Sequence, residues 1–124
     1  KTLFEAGVTA GGGSDHMQKI GSLRAINPYN PWLGMWVTLT RRAHWHDEPL
    51  HPEQALSRQQ AIRLYTDNNA KIMFLDDRTG SLEPGKLADF VILDRDVLEC
   101  PVDDIRQTQV VATYIDGRAV YERR

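Results

Sequence analysis

Apolar and polar positions along this chain follow a helical period in its first half and a strand-like pattern near its end. Trp32, Met35, Trp36 and Leu39 recur at the spacing of one helical face. Asn30 and Pro31 stand just ahead of them, a capping side chain followed by a proline suited to the first helical position. The helix should end near Arg41 and Arg42, whose charges suit the negative end of its dipole. Ser57 with Gln60 three residues later predicts a capping box, and Ala61, Ile62 and Tyr65 supply the inward face of the helix it starts. Asn68 and Asn69 weaken that pattern, and Ala70 to Leu75 reads as a second helical piece. Lys1 to Ala6 reads as the tail of a helix closed by Gly7.

Leu87 to Leu93 is nearly continuous in apolar residues and predicts a strand. Asp89 interrupts it, and a carboxylate is tolerated there when backbone groups hydrogen-bond to it. Gln109–Ile115 and Arg118–Tyr121 predict two further strands joined by Asp116-Gly117, the strongest hairpin signal in the chain. Val8 to Gly13 is a weaker strand candidate. Its three consecutive glycines offer nothing to pack and suit a place where backbone approaches something closely. Ser14–Asn30, His44–Pro52 and the Pro84-Gly85 stretch read as loops and turns. The expected class is α/β, with a soft boundary dividing residues 1–78 from residues 79–124.

Composition narrows this picture modestly. The 124 residues, 41 % of them hydrophobic, suffice for one domain with a modest core. A net charge of −2 gives no footing for nucleic acid or an anionic membrane. Apolar runs such as Phe90–Leu93 fall far short of the about 20 residues a bilayer span takes. Cys100 is the single cysteine, so no internal disulfide forms, which suits a reducing, cytoplasmic compartment. The chain opens at Lys1 inside a helix-like stretch, which reads as a cut or processed boundary and leaves a targeting segment ahead of it open.

The run Gly80-Ser81-Leu82-Glu83-Pro84-Gly85-Lys86-Leu87-Ala88-Asp89-Phe90-Val91-Ile92-Leu93-Asp94 resembles a signature of the amidohydrolase superfamily. In that family it lies where the chain leaves a (β/α)₈ barrel for a small β-sandwich. Val111 to Tyr121 resembles the family's closing hairpin, and Thr66, Asn69 and Ala70 resemble the helix after the last barrel strand. Gly13-Ser14-Asp15-His16 resembles the end of the eighth strand. Asn27 to Trp36, followed by Thr40-Arg41, is similar to the branch that includes N-substituted formamide deformylase. The resemblance implies a C-terminal fragment of the barrel, its last strand and helices, over residues 1–78. Residues 79–124 would then be the C-terminal part of the small sandwich.

The chemistry so implied is hydrolysis of a carbon–nitrogen bond in a small-molecule amide, N-formyl or cyclic amide substrate. A divalent metal, zinc by family habit, lowers the pKa of bound water and polarises the carbonyl. A carboxylate takes the water's proton and passes it to the leaving amine. The resemblance assigns that role, and metal ligation, to Asp15; read without it, Asp15 simply caps a Gly-rich turn. His16 would line the substrate pocket or sit as a loop histidine. Arg41 would bind a substrate carboxylate or close its helix. Trp32 and Trp36 would wall a pocket, although an aromatic stripe at helical spacing more often belongs to a core. His44-Trp45-His46 looks like a metal pair, but it follows the Asp15 motif, beside Pro49 and Pro52, and reads better as a solvated or lid-like loop. Lys86 and Asp89 read as structural, and Cys100 as inert.

The family's first-strand His-X-His, its bridging Lys or Glu and its two later histidines do not occur here. The chain is also shorter than the roughly 250 residues of a complete barrel. The 124 residues alone are therefore expected to bind no metal and to be inactive. Their exposed apolar faces should be covered by the remainder of a parent polypeptide or by another copy in a homo-oligomer. The competing reading is a non-catalytic assembly or binding module with no barrel upstream.

Overall fold

A computed structural model describes residues 1–14, 30–43, 46 and 48–124. Its helices are α1 (Thr2–Glu5), α2 (Pro31–Thr40), α3 (Arg58–Tyr65) and α4 (Asp67–Ile72), and its strands β1 (Phe90–Leu93), β2 (Val110–Ile115) and β3 (Arg118–Glu122). Two short 3₁₀ helices, Pro52–Gln54 and Val102–Gln107, complete the described elements. The mixture is α/β. Among the described residues no helix is long and apolar enough to cross a membrane.

The helix starts follow the local chemistry. Asn30 accepts hydrogen bonds from the N–H groups of Trp32 and Leu33, with Pro31 at the first turn. Ser57 and Gln60 form both halves of the capping box at α3. Gly7 takes a left-handed φ of 74° after α1, as a helix-closing glycine should. The chain breaks between α3 and α4 at Thr66, and α4 begins three residues earlier than the apolar pattern suggested. Asp67 accounts for that early start by pairing with Arg63 and Lys71, each four residues away.

The core forms where α2, α3 and the second 3₁₀ helix meet. Met35, Trp36, Ala61 and Ile105 are buried together, with Trp32, Leu33 and Tyr65 packed around them. Leu64 is also buried on α3, beside the expected Ala61. Ile105 comes from Val102–Gln107, a segment whose mostly polar sequence gives no helical stripe. Trp36 is fixed by its partners: its indole N–H donates to Asp103 at 2.9 Å, and the Arg106 guanidinium lies 4.9 Å over its ring.

The strands form one antiparallel sheet in the order β1-β2-β3. Phe90 stands opposite Tyr114, their rings stacked with centroids 4.6 Å apart. Asp116 and Gly117 both take positive φ, 50° and 72°, and close the β2–β3 hairpin as an Asp-Gly turn does. Leu87 to Asp89 precede β1 without joining its ladder. Asp89 nonetheless meets its expected partners, accepting from the Asp116 backbone N–H at 2.9 Å and from the Thr79 hydroxyl at 3.0 Å. One carboxylate thus ties the entry of β1 to the hairpin turn and to the loop after α4.

The Val8–Gly13 stretch departs from the expected strand. It has no ladder partner among the described residues. Three of its backbone groups, at Ala10 and Gly12, are instead bonded by the α3–α4 corner.

Candidate functional site

The segment leading to Asp15 runs across the α3–α4 corner. The Asn68 carboxamide donates to the Ala10 carbonyl at 2.8 Å, and that of Asn69 donates to the Gly12 carbonyl at 3.0 Å. The Gly12 N–H donates to the Leu64 carbonyl at 2.8 Å. In an extended chain, residues 10 and 12 present their backbone groups to the same edge. Two amide side chains and one carbonyl therefore occupy the place where a neighbouring strand would otherwise bond.

The glycines explain how the segment comes so close. A Cβ on Gly12 would lie 2.8 Å from the Tyr65 ring, and one on Gly11 would collide with the Asn69 amide. On its other side Tyr65 faces Gly34 of α2, where a Cβ would collide with the phenolic oxygen. The ring is wedged between two glycine backbones, and this burial pushes its pKa above the ordinary tyrosine value. Gly13 has open space around the Cβ position, so the tight fit ends one residue beyond Gly12.

Asp15 and His16, the residues the family resemblance singles out, lie outside the described residues, as do His44, Trp45 and Asp47. The described structure fixes the chain to Ser14, one residue short of Asp15. Arg41 stands at the left-handed cap of α2, with φ of 58°. Its Nε donates to the Leu50 carbonyl at 3.0 Å while its own carbonyl accepts the Leu50 N–H. Those contacts close the helix and staple the following loop. Arg41 also borders a surface hollow of about 250 Å³ with Lys1, Thr38 and Gln54. Trp32 packs on the core and edges a separate hollow of about 330 Å³ with Asn30, Thr108 and Tyr121. Arg41 and Trp32 border different hollows, so the described residues do not gather them into one site.

His46 and His51 are engaged locally: their Nδ1 groups lie 3.1 Å from the Glu48 carbonyl and 3.2 Å from the Glu53 carboxylate. Among the described residues no group of three His, Cys, Asp or Glu side chains is placed to hold a metal ion. The described residues do not by themselves form a metal centre. Lys86 reaches the Ser81 hydroxyl at 2.7 Å and braces the Pro84-Gly85 turn, a structural task. Asn68 and Asn69, which interrupt the helical pattern, emerge as the anchors of the Ala10–Gly12 segment. The signal in the sequence was two adjacent carboxamides inside a helix, in a chain that also holds three successive glycines with bare backbone to bind.

Residues 1–121 match the amidohydrolase family. The N-substituted formamide deformylase of Arthrobacter pascens is 34 % identical over 123 residues, which are 99 % of this chain and 21 % of that protein. The putative amidohydrolase YtcJ of Bacillus subtilis (strain 168) is 30 % identical over 99 % of this chain and 22 % of its own length. The crystal structure of an amidohydrolase from Thermotoga maritima MSB8 superposes with a TM-score of 0.64 at 23 % identity, covering 98 % of this chain and 25 % of that one. The chain thus spans about a fifth of the length of the curated relatives it matches. A match along almost all of its residues, reproduced in the fold, shows that this chain belongs to the amidohydrolase family.

Proposed function

We propose that these residues are the C-terminal part of a metal-dependent hydrolase that cleaves carbon–nitrogen bonds outside peptides. The observation that carries the reading is the family match over residues 1–121. The names of the similar proteins agree on the bond: one is an N-substituted formamide deformylase, and another, over 55 % of this chain, is the guanine deaminase of Escherichia coli. Residues 1–78 would close a barrel begun upstream, and residues 79–124 would complete a small sandwich.

In this reading Asp15 holds and moves the proton. Its carboxylate accepts a proton from the attacking water and returns it to the departing amine nitrogen, so the carbon–nitrogen bond breaks without expelling an amide anion. A divalent metal, zinc in the first instance, would supply activation of that water, with Asp15 as one ligand and the others from outside these residues. His16, Arg41 and Trp32 remain candidates for contact with a small amide substrate.

The large hydrophobics support a longer parent. Ile72, Met73, Phe74 and Leu75 form a consecutive run of exposed large hydrophobics, as suits a surface that further chain covers. The 124 residues alone are proposed to be inactive. The test is turnover of N-butylformamide, acetanilide and hydantoin by the complete protein, with metal content measured alongside. Hydrolysis of at least one by the wild type, its loss in Asp15→Asn, and no turnover or stoichiometric zinc in the isolated 124 residues are expected. Full turnover by Asp15→Asn would remove Asp15 from its role.

A further inference from the structure

We infer that Asn68 and Asn69 are positioning residues for the proposed hydrolysis, holding the Ala10–Gly12 backbone that leads toward Asp15, an inference that rests on the proton-transfer role proposed for Asp15. The segment that carries Asp15 has three successive glycines, Gly11 to Gly13. Such a segment has no side chains by which a core could hold it, and glycine backbone is the most mobile of all. Only its N–H and C=O groups are available for fixing it. The structure engages three of those groups in a row through one corner of the fold: the Ala10 carbonyl by Asn68, the Gly12 carbonyl by Asn69, and the Gly12 N–H by the Leu64 carbonyl. The two carboxamides are neighbours on α4 and grip carbonyls two residues apart, as the rung of a partner strand would.

The placement favours a role beyond general stability. Asn68 is 4 % exposed, so its amide is committed to the Ala10 carbonyl and not to water. Asn69 grips Gly12, three residues before Asp15, and three residues of chain span at most about 10 Å. The Asn69 side chain also fills the space a Gly11 Cβ would need, so segment and anchor are shaped to each other. Beyond Gly12 the packing opens at Gly13. Among the described residues the Asn69–Gly12 bond is therefore the last side-chain grip on the segment ahead of Asp15, and its release frees that segment while leaving the core of α2 and α3 untouched.

The experiment uses the complete protein and N-butylformamide, or whichever substrate of the panel it turns over. Asn69→Asp keeps the side chain's shape and loses the donor; Asn69→Ala loses both. Both are expected to lower kcat by about 10²-fold, the scale for a displacement of about 1 Å at a reacting group, with KM within about threefold of wild type. Hydrogen–deuterium exchange should show the Gly12 amide losing protection while α2 amides keep theirs. A purely structural Asn69 would instead lower the melting temperature and the active fraction without this confined exchange. Wild-type kcat in Asn69→Asp, with Asp15→Asn inactive, overturns the inference and leaves the function standing. Turnover by Asp15→Asn takes down the function and the inference with it. Loss of the fold in both Asn69 variants also overturns it, since that would make the residue a requirement for folding and not for placement.

Discussion

Gly12→Ala isolates the contact on which the Ala10–Gly12 segment rests. The added Cβ would lie 2.8, 2.9 and 3.0 Å from three carbons of the Tyr65 ring. Carbon atoms rest at about 3.5–4.0 Å, so the closest approach is short by roughly 0.7–1.2 Å. The ring has little freedom to retreat, because its hydroxyl end also meets Gly34 within α2. Gly12 carries no positive φ, so the cost is steric and not conformational. If the fold absorbs it, overpacking of this kind costs about 1–3 kcal/mol. If the segment moves instead, by a fraction of an ångström to an ångström, the role proposed for Asp15 predicts a loss of up to about 10²-fold in turnover. The assay is kcat and melting temperature of the complete protein for Gly12→Ala, Gly13→Ala and Gly12→Ala with Tyr65→Leu. Gly13→Ala, with open space, should be nearly silent, and Tyr65→Leu should recover part of what Gly12→Ala loses. Equal damage from Gly12→Ala and Gly13→Ala, or no recovery in the double variant, would refute this account of the wedge.

Other parts of the fold give narrower tests. Gly34→Ala places its Cβ on the Tyr65 hydroxyl, so Tyr65→Phe should rescue it better than it rescues Gly12→Ala, read by melting temperature. Trp36→Phe keeps most of the packing but leaves Asp103 without its indole donor; a loss of about 1–2 kcal/mol in urea titration is expected, and Asp103→Asn should not add its full effect to it. The Arg95 guanidinium, with the Gln109 N–H, holds the Asp94 carboxyl at about 2. Its folded pKa lies below the ordinary value of about 3.9, so the ionised group stabilises the fold above about pH 4 and loses that contribution as pH falls toward 2. Asp94→Asn should flatten melting temperature against pH in that window, and an unchanged acid limb would count against the pairing. Asp89→Ala should loosen both the β2–β3 turn and the loop after α4, seen as faster amide exchange at Asp116 than in the wild type.

The elements legible in the sequence are those whose cause is local. Asn30-Pro31, the Ser57–Gln60 box and Asp116-Gly117 each satisfy backbone groups within a few residues, so their outcome does not depend on the rest of the chain. The 3₁₀ helix Val102–Gln107 was not legible, because one buried residue, Ile105, carries its packing and six residues cannot show a period. Asn68 and Asn69 were misread for the opposite reason. Asn is a poor helix former, by roughly half a kcal/mol or more against Ala, and local preference argues against it within a helix. What outweighs that preference is a contact 57 and 58 residues away in sequence, to a backbone with no side chains of its own.

The same contrast explains why the candidate site was legible only in part. Asp15 is proposed from its place in a motif, and a motif does not say what holds the segment ahead of it. The proton-transfer role proposed for Asp15 would need a fixed distance to two reacting atoms, and a triple-glycine segment cannot supply that stiffness. The segment does supply closeness: Gly12 lies against the Tyr65 ring as no other residue could. Closeness without side chains then requires that the fixing groups come from the opposite side, and the α3–α4 corner presents them as two carboxamides and a carbonyl. Glycines in the segment and asparagines in the helix are thus two halves of one solution. Replacing either half alone should be worse than its local surroundings suggest, because each leaves the other with polar groups or space that nothing else in the described fold fills.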